Sequence, residues 1–120
     1  MKKWLKPIID IATEKGWNTN WEDNNGAIIA EFSQRSPAGE DFSFTSQGNS
    51  ERELIQDVME YAYNFSIDEH VEMWLGAKAN GTSGVPSVSV LCKDAEAIHG
   101  MLRDLGAILR ENEYNKEKKG

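Results

Sequence analysis

Six apolar residues near the carboxyl end, Leu91, Ala95, Ile98, Leu102, Leu105 and Leu109, follow one another at steps of 4, 3, 4, 3 and 4. A helix, with its turn of about 3.6 residues, brings such positions onto one stripe, and a stripe of nearly three heptads needs a partner surface to bury it. The pattern predicts a long last helix from Ser87 to about Glu113. Gly100 and Gly106 lie inside it, each weakening a helix by about 1 kcal/mol relative to Ala, so close approach of a neighbouring helix is the expected reason for them. The end "NKEKKG" carries no apolar residue. Residues 114–120 are therefore expected to form a frayed charged tail.

The partner surface comes from a stretch whose period is two. Trp17, Thr19 and Trp21 fall on one side of a first strand, Asn25-Gly26 marks a tight turn, and Ile28, Ala30 and Phe32 share a face of the next. The loop "RSPAGED" leads to a third strand with Phe42 and Phe44 on one side. An antiparallel meander with one buried face follows. Ahead of it, Leu5, Ile8, Ile9 and Ala12 stripe a first helix over 2–15, with Pro7 in its first turn and Gly16 as its stop.

Behind the strands stand two capping boxes. Ser50 to Glu53 opens a helix striped by Leu54, Ile55, Val58, Ala62 and Phe65; Ser66 to Glu69 opens another to about Ala79, with Val71, Trp74 and Leu75 inward. Asn80-Gly81 is the expected stop, and Pro86 suits the first turn of the last helix. The fold expected is α+β: an N-terminal helix, a three-stranded antiparallel meander, then three helices packed on one sheet face, in a single domain over 1–113.

A chain of 120 residues with eleven aromatics can bury a core without staples. Cys92 is the one cysteine, beside Val90 and Leu91, which suggests a half-buried thiol in a reducing compartment. Lys6, Pro7 and Asp10 interrupt any signal-peptide core, and no stretch approaches the roughly 20 apolar residues of a membrane span. A soluble, cytoplasmic protein is expected, with no membrane partner.

Net charge is −7, carried unevenly. Residues 21–80 hold twelve acids against Arg35, Arg52 and Lys78, whereas residues 81–120 hold six charges of each sign. This distribution argues against direct nucleic-acid binding and for attraction to a basic partner. Glu53, Asp57 and Glu60 step by 4 and 3 along one helix face, where like charges cost about 0.2–0.5 kcal/mol per pair. Asp68 and Glu72 share a face one helix later. One stripe is sparser than the phosphates of a duplex, so mimicry of nucleic acid would also need Glu22, Asp23, Glu31, Glu40 and Asp41 to join one surface.

No catalytic constellation stands out. His70 lies beside Met73 and Trp74 on its helix, and a metal site with Asp68 or Glu72 would lack a second nitrogen or sulfur ligand, so it reads as a first-turn residue. His99, flanked by Glu96 and Arg103, reads as an exposed helix position without nucleophile or orienting group. Gly81-Thr82-Ser83-Gly84-Val85 lacks the last glycine of a nucleophile elbow, and the same loop lacks a phosphate-binding lysine. Neither an enzyme nor a cofactor is expected.

The segments "GEDFSFT" (39–45), "DEHVEMWLGAKANGTSGVPS" (68–87) and "DAEAIHGMLRDLGAIL" (94–109) resemble a family of small acidic proteins from gut Firmicutes and their phages or conjugative elements. The resemblance covers roughly residues 21–110 and transfers no catalytic residue. Because members often sit near antirestriction genes, it implies a mobile-element protein whose target is a basic host protein, such as a restriction or CRISPR nuclease. The function expected is thus a non-enzymatic binding protein with Glu53, Asp57, Glu60, Asp68 and Glu72 as surface anions. The alternative is a small homodimeric adaptor, with Met101 and Ile108 of the last helix facing a second copy.

Overall fold

The computed structural model describes residues 2–78 and 87–119. Helix α1 (Leu5–Glu14) is followed by strands β1 (Asn18–Asn24), β2 (Ala27–Arg35) and β3 (Asp41–Gly48), then helices α2 (Glu51–Asn64), α3 (Ile67–Lys78) and α4 (Val88–Lys119). The strands form one antiparallel sheet in the order β1-β2-β3, so the architecture is α+β. The stop expected at Asn80-Gly81 and the role expected for Pro86 lie outside the described residues.

Local chemistry explains most of these bounds. Asn24 and Ala27 pair across a two-residue turn in which Asn25 has φ 57° and Gly26 φ 95°, the left-handed pair that matches strand twist. Ser50 Oγ accepts the Glu53 N–H at 3.2 Å, while Glu53 Oε1 reaches back to the N–H of Asn49 rather than of Ser50. Ser66 Oγ accepts the Glu69 N–H in the same way. Trp17 precedes β1 instead of belonging to it and is buried between α1 and the sheet, edge-on to Phe44 at 5.5 Å.

One sheet face is covered. Ile28, Ala30 and Phe32 of β2 and Phe42 and Phe44 of β3 pack with Leu5, Ile8 and Ala12 of α1, with Leu54, Ile55 and Val58 of α2, and with the α4 seam from Ile98 to Leu109. The first part of that seam, Leu91 and Ala95, instead closes a second cluster with Val71 of α3, with half-buried Trp74 and Cys92 against it. α3 thus packs chiefly on α4. Among the described residues no helix is long and apolar enough to cross a membrane.

α2 and α4 run antiparallel. Glu51 meets Lys116, Arg52 meets Glu113, and Phe65 stacks on His99 at 5.8 Å. Glu113, with its side chain only 7% exposed, and the Lys116 Nζ to Glu51 Oε2 bond of 2.7 Å hold the end of α4 against the start of α2. α4 therefore continues helical to Lys119 through residues expected to fray.

The two α4 glycines part company here. A Cβ on Gly106 would meet Met59 Cγ at 3.3 Å, so close helix approach does account for that residue. A Cβ on Gly100 would meet nothing within 4 Å. Gly100→Ala is accordingly expected to stabilise the protein by about 1 kcal/mol, and Gly106→Ala to forgo most of that gain against Met59. Thermal unfolding of both variants checks the contrast, and equal shifts would contradict the packing described.

Candidate functional site

The α2 acids gather on one recess of about 430 Å³, lined by Glu53, Asp57 and Glu60 with Gln47, Arg52 and Arg110. Each acid has a local tether. Asp57 Oδ2 accepts the Gln47 N–H of β3 at 2.9 Å, Glu53 Oε1 accepts the Asn49 N–H at 3.4 Å, and Glu60 Oε1 accepts Gln56 Nε2 at 3.4 Å. Each of these bonds engages one carboxylate oxygen.

The two arginines temper the recess without neutralising it. Arg52 Nε and Arg110 Nη1 approach the two oxygens of Glu113 at 3.7 and 3.5 Å. With Glu113 included, four carboxylates face two guanidiniums, an excess of two negative charges. Sequence periodicity showed the acid stripe but not these cations, which arrive from the neighbouring turn and from the antiparallel helix.

The sheet's uncovered face adds to this surface. Glu22 of β1 pairs with Ile29, which pairs with Gln47, so a single cross-strand row runs from Glu22 to the residue that Asp57 holds. At about 4.8 Å between strands that row spans about 10 Å. Glu31 stands in the next row, between Asn20 and Thr45. Glu22 and Glu31 thus stand on the open sheet face, on β1 and β2, while Glu53, Asp57 and Glu60 of α2 gather at the β3 edge.

Other expected contributors go elsewhere. Asp23 lies on the opposite sheet face, across from Ile28, and accepts the Gly26 N–H in the turn. Asp41 pairs with exposed Arg35 at 3.3 Å. Asp68 and Glu72 are exposed on α3, Asp68 in its first turn, and neither lines the α2 recess. Met101 and Ile108 are half-buried, and Met101 packs against the main core of its own chain.

Three polar residues do work that their sequence neighbourhood did not announce. Glu40 is withdrawn from the surface: its Oε2 bonds His70 Nε2 at 2.9 Å, its Oε1 accepts Trp74 Nε1, and the two side chains of the ion pair are 12% and 11% exposed. His70 is a first-turn residue of α3, as expected, but it is drawn in from the surface and meets Phe42 and Phe65 edgewise or tilted. Asp94 of α4, 5% exposed, accepts Ser36 Oγ at 2.6 Å and the Ala38 N–H at 2.8 Å. Ser36 Oγ in turn accepts the Glu40 N–H at 2.9 Å. The turn between β2 and β3, with Gly39 at φ 92°, is consequently pinned to α4 through Asp94 and to α3 through Glu40.

His99 differs from its expected exposure as well, since it is half-buried by stacking on Phe65. Tyr61 stacks on Phe44 at 4.7 Å, and burial pushes its phenol above its ordinary pKa. Among the described residues no cluster of three His, Cys, Asp or Glu could hold a metal, and the His70 ring nitrogen Nε2 is directed at Glu40 rather than at Asp68 or Glu72. No protein-family profile, curated protein or solved structure matches the chain.

Proposed function

We propose that this chain is a non-enzymatic binding protein whose acidic surface along β3 engages a basic protein and competes with nucleic acid for that partner's basic groove. The observation that carries the reading is the shared row Glu22–Ile29–Gln47–Asp57, which runs across the open sheet face from an acid on β1 to the α2 acids at the β3 edge. Complementary fields of this kind steer association and suppress wrong partners more than they add raw affinity. The family resemblance supports a mobile-element origin and a restriction or CRISPR nuclease as the target.

Asp57 also holds Gln47, so the clean test spares it. The combined variant Glu22→Lys, Glu31→Lys, Glu53→Lys and Glu60→Lys is expected to bind an identified basic partner at least about 100-fold more weakly, chiefly through a slower on-rate. Asp68→Lys with Glu72→Lys, away from the recess, is expected to have a smaller effect. Unchanged binding of the fourfold variant, measured by surface plasmon resonance at low salt, would refute the mechanism.

A further inference from the structure

A second hollow, independent of the acidic surface, lies open to solvent between α2 and α4, with a volume of about 540 Å³. Its floor is Met59, Ala62 and Gly106, and its rim is Tyr63, His99 and Arg103. Gly106 and Ala62 are buried in this lining, and Met59 lies against Gly106.

The rim presents chemistry the fold does not use. Tyr63 is 88% exposed and so contributes almost nothing to the core. Among the described residues Arg103 makes no ion pair or hydrogen bond. Its neighbours one turn away on α4 are His99, Gly100, Gly106 and Ala107, so no acid at helical spacing answers it. An unanswered guanidinium over an apolar floor, in a chain of net charge −7, marks the local exception to the protein's negative field. The His99 ring beside it is held in place by stacking on Phe65.

We infer that this hollow binds a small organic carboxylate with an apolar tail, the carboxylate paired with Arg103 and the tail lying over Met59 and Ala62 under Tyr63. The volume falls within the range of about 300–1,000 Å³ typical of small-molecule sites, and guanidinium and carboxylate match in planar, bidentate geometry. A small molecule fits better than an extended peptide. The α2 side of the hollow runs only from Met59 to Tyr63, little more than one turn or about 6 Å of helix.

The test titrates the full chain with octanoate by calorimetry and by heteronuclear NMR, with 1-octanol as the uncharged comparison. Saturable one-site binding is expected, with shifts at Tyr63, His99 and Gly106, and octanol binding at least about tenfold more weakly. Arg103→Met, which leaves the exposed helix face intact, is expected to weaken octanoate about tenfold and leave octanol unchanged. Ala107→Trp is expected to block both by filling the hollow. Absence of saturable octanoate binding, equal affinity in wild type and Arg103→Met, or shifts that map away from α2 and α4 would overturn the inference. None of these results bears on the acidic surface, which lies on other residues.

Discussion

Asp94→Ala is expected to destabilise the protein by about 3 kcal/mol. The carboxylate is buried and accepts two hydrogen bonds, from Ser36 Oγ at 2.6 Å and from the Ala38 N–H at 2.8 Å. Hydrogen bonds to a charged group contribute about 1.5–3 kcal/mol each, and their loss strands two donors in a partly closed site. Ala38 and Gly39 are exposed, so water can enter and limit the loss to the lower part of that range. Asp94→Asn retains one acceptor oxygen and is expected to lose about half as much. Urea unfolding near neutral pH is the measurement, with a lower midpoint at unchanged slope expected. A loss below about 1 kcal/mol would mean that the β2–β3 turn is not held through α4.

Gly48→Ala should be comparably damaging for a different reason. A Cβ there would stand 2.5 Å from the Leu54 nitrogen and 2.9 Å from the Glu53 carbonyl carbon, both backbone atoms of the first turns of α2. Relief requires α2 to shift away from the end of β3, and that shift would disturb the Ser50 cap and the Asp57 bond to Gln47. Overpacking against atoms that cannot rotate away costs about 3 kcal/mol, more than the fraction of a kcal/mol Ala returns by restricting the unfolded chain. In a chain of this size the melting temperature is expected to fall by about 10 °C. A fall of less than about 3 °C would show that β3 and α2 approach less closely than described.

What the sequence disclosed was local. The α4 seam, the serine caps at Ser50 and Ser66, the Asn25-Gly26 turn and the alternating faces of β2 and β3 each depend on residues within a few positions, and each is found in the structure. The features that escaped depend on partners far along the chain. Glu40 meets His70 30 positions away, Asp94 meets Ser36 58 positions away, and Lys116 meets Glu51 65 positions away. Period and spacing carry no information about such pairs, so Glu40 read as a surface acid, the first-turn residue His70 showed no sign of its distant partner, and the last six residues of α4 read as a tail.

The acidic surface was half visible for the same reason. Spacing placed Glu53, Asp57 and Glu60 on one helix face. The cross-strand row from Glu22 to the β3 residue that Asp57 holds emerges only once strand register and the Asp57 to Gln47 bond are known. Asp68 and Glu72, identical in local character, sit outside that row because α3 turns onto α4.

The most direct measurement is affinity capture from a bacterial lysate, with the wild-type chain and the fourfold Glu22, Glu31, Glu53 and Glu60 to Lys variant compared at low and high salt. The wild-type chain is expected to retain a basic nucleic-acid-binding protein at low salt and to release it at high salt or on addition of duplex DNA, and the variant is expected to fail to retain it. Retention of the same proteins by both chains, or recovery of no basic protein by the wild type, would contradict this reading.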